Sequence, residues 1–149
     1  MAGASGRPLL FNSHSFSPSA RRYSPALTGR PVALELFDAA YPLGAHIALA
    51  ERADLFCIAP ATASFLAKAA NGLADDLLST LYLSFTGPVL VAPAMNQQMW
   101  AAQATQENRA VLDSRGVQVL GPGVGVQACG ETGAGRMLEP LELVEALAN

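Results

Sequence analysis

The sequence predicts a single α/β domain built on a parallel sheet, and three observations carry that prediction. Two short apolar runs, residues 55–59 and 89–92, lack the polar alternation of a half-exposed strand, as strands covered on both faces do. Segments of helical periodicity alternate with these runs, the pattern of parallel strands joined by right-handed crossovers. Hydrophobic residues make up 51% of the 149 residues and charged residues only 14%, below the roughly 25% usual in soluble domains. Such a chain covers both faces of a sheet or hides surface in an oligomer.

Each element follows in order. Residues 1–27 are rich in Ser, Pro and Arg without sustained periodicity and read as an irregular leader to a domain over 28–149. Residues 31–37 predict a short strand. A helix is expected over 43–52, with Ile47, Ala50 and Ala53 on one face. The strand at 55–59 is expected to end at Pro60-Ala61-Thr62-Ala63-Ser64. A helix over 63–70 stops at Asn71-Gly72, because both residues tolerate the left-handed C′ conformation. Asp75 and Asp76 suit the positive N-terminus of the next helix, which runs to about Leu83. Thr86-Gly87-Pro88 is a turn into the strand at 89–92, which Pro93 ends. One long helix is expected over 97–115, stopped by Gly116, then a strand over 117–120, a glycine-rich loop over 121–135 and a closing helix over 140–147.

Bulk charge excludes some functions. The net charge of −3 argues against a nucleic-acid footprint. No stretch approaches the roughly 18 uninterrupted apolar residues of a membrane span. The charge is uneven: Arg7, Arg21, Arg22 and Arg30 all precede the first acid, Glu35, and the five later bases face all twelve acids. An Arg- and Ser-rich, acid-free leader resembles an organelle transit peptide, but this one lacks an amphipathic face. Two cysteines, Cys57 and Cys129, are too few for a disulfide scaffold and are not clustered with histidine as zinc ligands are. The expectation is a reducing, cytoplasmic setting and no metal.

Several residues could carry chemistry. The run Pro93-Ala94-Met95-Asn96 puts an amide just past the carboxyl end of a strand, where ligands bind in open α/β sheets. Asn96 reads as a helix N-cap or as an amide donor to an anionic ligand, and the two are compatible if the backbone supplies the cap. His46, near a helix start, reads as a capping or packed histidine, or as a neutral imidazole ready to act as a base. Cys129, in the glycine-rich loop, reads as an incidental thiol or as a proton donor or nucleophile; Cys57, mid-strand, reads as core. Thr62 and Ser64 are capping residues or hydrogen-bond partners of a cofactor. The loop lacks the G-x-G-x-x-G spacing and the Walker lysine of phosphate cradles, so a hinged lid over substrate fits it better.

Taken together, these stretches resemble the homo-oligomeric flavin-containing cysteine decarboxylases. The resemblance rests on the run from His46 to Asp54, on Ala59-Pro60-Ala61-Thr62-Ala63 and on the run from Ala70 to Thr80. It continues with Pro93-Ala94-Met95-Asn96, Met99-Trp100, Ala128-Cys129-Gly130-Glu131, Gly133, Gly135-Arg136-Met137 and Glu139-Pro140. It implies a Rossmann-like (flavodoxin-like) parallel sheet with helices on both faces, a homotrimer or a dodecamer of trimers, and FMN between subunits. The implied reaction turns 4'-phosphopantothenoylcysteine into 4'-phosphopantetheine in coenzyme A biosynthesis. The cysteinyl side chain is oxidised to a thioaldehyde, CO₂ leaves to give an enethiol, and the enethiol is reduced, with the cofactor carrying the redox chemistry.

Carried over by position, the resemblance makes His46 the histidine near the flavin, Asn96 the holder of the substrate carboxylate, and Cys129 the proton donor of the final reduction. Thr62, Ala63, Ser64 and Phe65 fall on the flavin-contacting turn, with Ala94 beside it; Ser64 and Phe65 depart from the residues frequent there. Met95, Ala128, Gly130, Gly135, Arg136 and Met137 fall on the substrate side, 130–137 forming a clamp.

The family's opening strand and glycine-rich turn, which help to hold the flavin phosphate, have no match here. The expectation is an N-terminally shortened domain with weakened or absent FMN binding, and without a synthetase half. Two alternatives stand beside the leading reading: a peptidyl-cysteine oxidative decarboxylase that stops at the enethiol, and a non-catalytic regulatory flavoprotein homologue. Cys129 with its clamp favours the first reading over the former; His46, Asn96 and Cys129 together favour it over the latter.

Overall fold

The computed structural model describes residues 33, 35–37, 41, 44–126, 130 and 132–148. The leader at 1–27 lies outside them, as does most of the strand expected at 31–37; of that strand, residues 33 and 35–37 are described and are not strand. The element order is α1 (Ala45–Arg52), β1 (Phe56–Ala61), α2 (Ala63–Asn71), α3 (Leu77–Ser84), β2 (Val89–Pro93), α4 (Gln97–Ala101), α5 (Gln103–Ser114), β3 (Gln118–Val119), β4 (Gly123–Val126), β5 (Thr132–Arg136) and α6 (Pro140–Ala148).

The first three strands form a parallel sheet in the order β1-β2-β3, with Phe56 opposite Val89, Ile58 opposite Val91, and Val91 opposite Val119. The architecture is the α/β, Rossmann- or flavodoxin-like one. Strands advancing in one direction through right-handed crossovers place their connecting helices on one face. The core agrees. Phe56, Ile58, Val89 and Val91 share one face by strand alternation and cluster with Ala45 and Leu49 of α1, Phe65, Leu66 and Ala69 of α2, Leu77 and Leu81 of α3, and Leu112 of α5. Cys57, Leu90 and Ala92 point the other way and are buried too, which accounts for the unbroken apolar runs.

Local chemistry sets the helix ends. Thr62 Oγ1 accepts from the Phe65 N–H at 3.2 Å and starts α2. Gly72, at φ 69°, ends it in the left-handed conformation. Asp76 opens α3 with a capping box: its Oδ1 accepts from the Ser79 N–H at 2.8 Å, and its own N–H donates to Ser79 Oγ at 3.2 Å. Lys68 ties the two helices together through Asp75 at 2.6 Å and Asp76 at 2.7 Å.

The structure corrects four expectations. Pro60 does not end β1, which runs on to Ala61; the pairing register shifts between Ile58 and Ala61, and a residue with no N–H to donate is tolerated at such an irregularity. The helix expected over 97–115 is two helices. Ala102 between them is extended, at φ −58° and ψ 133°, and the orphaned Trp100 carbonyl accepts from the Gln106 side chain instead. The restart places Thr105 and Leu112, two turns apart, in the buried face of α5. The strand expected over 117–120 is only two residues long. The loop expected over 121–135 contains an antiparallel hairpin, with Val124 opposite Ala134 and Gly125 opposite Gly133.

Candidate functional site

Three chain segments converge on the carboxyl edge of the sheet. β1 passes directly into α2 through Thr62, and β2 passes through Ala94, Met95 and Asn96 into α4. The third segment is the start of α1. Only residues 53–55 separate the end of α1 from the start of β1, so the helix runs back alongside the strand and directs its N-terminal end, with His46, toward the same edge.

The Asn96 turn is held on both sides by main-chain bonds. The Ala94 N–H donates to the Ala61 carbonyl at 3.0 Å, joining the ends of β1 and β2. The Met95 N–H donates to the Gly135 carbonyl at 2.9 Å, joining the turn to the hairpin. Asn96 Oδ1 accepts from the Gln98 N–H at 2.7 Å and caps α4. The side chain, not the backbone, therefore supplies the cap. The cap uses the amide oxygen, so a donor role for Asn96 would rest on Nδ2.

His46 is the second residue of α1 and is half-buried. Its ring occupies space that Gly44 leaves open: a Cβ there would meet Cε1 at 2.9 Å and Nδ1 at 3.2 Å, and Gly44 also has φ 95°. Nδ1 is buried and has no hydrogen-bond partner among the described residues. The Gly44 N–H donates to the Tyr41 carbonyl at 2.9 Å, which fixes the entry to the helix.

The other expected residues divide. Thr62 and Ala63 are half-buried at the start of α2 and Ser64 is exposed there; the Thr62 hydroxyl oxygen serves the cap. Phe65 lies on the same turn with its side chain directed into the core. The ring is 3% exposed and packs edge-to-face on Tyr82 at 6.0 Å, because it belongs to the apolar face of α2 and not to the open side of the turn. Ala94 and Met95 are half-buried, Met95 against the core. Gly135 is buried beneath the hairpin contact, Arg136 is exposed and paired with Glu139, and Met137 is half-buried. Gly130 is exposed with φ 83°. Ala128 and Cys129 lie outside the described residues. Cys57 is buried, and burial pushes its thiol pKa up, as expected of a core residue. Two residues were not foreseen as site elements: Gly44, which makes room for His46, and Gln97, whose side chain lies against Gly133.

Among the described residues, no group of His, Cys, Asp or Glu could hold a metal ion, and no helix is long and apolar enough to cross a membrane.

The fold is that of an open parallel α/β sheet, in which ligands bind at the carboxyl edge, and Asn96, the start of α1 with His46 and the hairpin all lie toward that edge. The Flavoprotein family profile matches residues 27–149, and the chain belongs to that family. It is 54% identical over 120 residues to the coenzyme A biosynthesis bifunctional protein CoaBC of Vibrio vulnificus, a match covering 80% of this chain and 30% of the relative. It is 52% identical over 121 residues to the protein of the same name from Escherichia coli K12, again over 80% of this chain and 30% of the relative. The chain thus spans about 30% of the length of these curated relatives. Among solved structures it resembles a cysteine-to-serine mutant of PPC decarboxylase complexed with pantothenoylaminoethenethiol (TM-score 0.74, 31% identity, 79% of this chain and 69% of that one). It resembles equally the FMN-dependent cysteine decarboxylase SpaF (TM-score 0.74, 31% identity, 95% of this chain and 78% of that one).

Proposed function

We propose that this chain is the decarboxylase unit of coenzyme A biosynthesis: an FMN-dependent carboxy-lyase converting 4'-phosphopantothenoylcysteine to 4'-phosphopantetheine. The observation that carries the reading is the Asn96 turn, bonded to β1 through Ala94 and to the hairpin through Met95. An amide on an immobilised turn at a sheet's carboxyl edge suits recognition of a carboxylate, since its geometry is set before the ligand arrives.

The residues present fit a polar cofactor. A buried imidazole nitrogen without a partner among the described residues is a group that a bound ligand would satisfy. Thr62 and Ser64 add hydroxyls at the neighbouring turn. FMN, when bound, supplies the oxidation and return of electrons that no side chain here can supply.

The roles of the chain's own residues follow. Asn96 Nδ2 donates to the substrate carboxylate and orients it for loss of CO₂. His46 accepts a proton as the cysteinyl side chain is oxidised. Cys129 donates the last proton, and the hairpin with Arg136 and Met137 covers the substrate. The active assembly is a homotrimer, alone or grouped into a dodecamer, working in the cytoplasm.

The test is to incubate the protein with added FMN and phosphopantothenoylcysteine and to follow CO₂ and product mass. Phosphopantetheine is the expected product. A product two hydrogens lighter supports an enethiol-stopping cysteine decarboxylase instead. No turnover, combined with tight binding to another protein, supports a regulatory homologue.

A further inference from the structure

The junction between the hairpin and the Asn96 turn has a second component besides the Met95–Gly135 bond. A Cβ built on Gly133 would lie 2.7 Å from Gln97 Cδ and 3.1 Å from Gln97 Cβ, with Oε1 nearer still. Gln97 follows Asn96 directly and is the first residue of α4, and α4 packs against β5. Gly133 has no positive φ, so its backbone would accept alanine. The presence of Gln97, not the local conformation, is what requires glycine there.

We infer that Gly133 is a positioning residue: its missing side chain seats Gln97 and thereby fixes the hairpin on the turn that carries Asn96. The covering element and the carboxylate-binding amide then form one unit. A hairpin free to move independently would leave Asn96 placed but the substrate uncovered. A Cβ at Gly133 meets the Cβ and Cδ of Gln97 as well as its tip, so rotation of the terminal amide alone does not relieve the clash. Either Gln97 leaves its seat, by a change of rotamer with a small shift of its Cβ, or β5 lifts and the Met95–Gly135 bond breaks; in both cases the junction between hairpin and turn is loosened.

Hydrogen exchange followed by mass spectrometry on the full chain tests this without reference to activity, in peptides spanning 94–100 and 132–137. Overpacking of this kind predicts that Gly133→Ala speeds exchange about tenfold in both peptides together. Removing the obstructing side chain in the double variant Gly133→Ala/Gln97→Ala returns both to within about threefold of the parent. The inference is overturned if Gly133→Ala loosens the hairpin peptide alone, or if the double variant exchanges like the single one. Should Gly133→Ala fail to fold, a double variant that folds and exchanges like the parent supports the inference, and one that also fails to fold overturns it. A parallel rise in KM for Gly133→Ala, reversed in the double variant, rests on the decarboxylase reading; the exchange result stands without it.

Discussion

Replacing Asn96 by aspartate separates the observed cap from the proposed substrate contact. The cap is made by Oδ1, which accepts from the Gln98 N–H at 2.7 Å, and aspartate ranks with asparagine as an N-cap. Asn96→Asp is therefore expected to hold stability within about 0.5 kcal/mol of the parent. The donor end is what changes: Nδ2 becomes a second acceptor oxygen, and in the proposed function the group becomes an anion facing a substrate anion. Losing a hydrogen bond to a charged partner costs about 1.5–3 kcal/mol. Two carboxylates about 4 Å apart repel by a further ~4 kcal/mol at an effective dielectric constant near 20. Even about 3 kcal/mol of the combined effect corresponds to a loss of about 100-fold in kcat/KM. Asn96→Ala is the counterpart, losing the donor and the cap together, with about 1 kcal/mol of stability and a melting temperature lower by about 2–4 °C. CO₂ release with added FMN and thermal unfolding, measured on both variants, check this. The reasoning fails if Asn96→Asp keeps activity within tenfold of the parent, or if it melts as early as Asn96→Ala.

Other outcomes are expected at separate places. His46→Gln should fold as the parent does but lose about 10²–10⁴-fold in turnover, the range of a general base, measured by steady-state assay. Cys129→Ser should retain CO₂ release and accumulate the oxidised product by mass; loss of decarboxylation itself would count against a late proton donor. Cys57 should resist alkylation in the native chain and react on unfolding, because burial raises its pKa and withholds the thiolate; peptide mass spectrometry reads this. Asp76→Ala should cost about 1–2 kcal/mol through loss of the cap to Ser79, seen in denaturant unfolding, with Asp76→Asn milder. Burial alone would raise the Asp76 pKa, but Lys68 and the Ser79 donors outweigh it and hold the carboxyl below its usual range. A depressed folded pKa stabilises above the unfolded value near 4, so the Asp76 contribution is lost as pH falls below about 4 and through the folded value.

The sheet and most helix ends were legible because their causes are local. Unbroken apolar runs announced strands buried on both faces, and Phe56, Cys57 and Ile58 are indeed all buried. Asn71-Gly72 and Asp75-Asp76 announced a stop and a start, which Gly72 and Asp76 provide. The break at Ala102 was not legible, since neither Gly nor Pro marks it. The restart leaves Thr105 and Leu112 buried, and the Trp100 carbonyl freed by the break is taken up by the side chain of Gln106, six residues further on. The hairpin was hidden for a related reason. Gly123, Gly125, Gly133 and Gly135 read as hinges, yet they are strand positions of β4 and β5, and at Gly133 the Gln97 side chain comes close.

The candidate site follows the same division, and the distinction bears on how its glycines should be read. His46 and Asn96 were visible because each sits where a helix begins, a place the sequence marks. The link between Asn96 and the hairpin was not visible, because it joins Met95 to Gly135 and Gln97 to Gly133, residues 40 and 36 positions apart. A glycine selected for flexibility and a glycine selected for close approach look identical in a sequence. They differ in what a methyl group does. At Gly130, with φ 83° and nothing within 4 Å, alanine meets only backbone strain. At Gly133, with an ordinary backbone and Gln97 in the way, alanine meets only a neighbour. The first kind of cost cannot be rescued by a second substitution elsewhere, whereas the second kind can. In this glycine-rich segment Gly130 is therefore a conformational position and Gly133 a contact position, and the two kinds can be told apart one residue at a time by whether a compensating truncation restores the parent's behaviour.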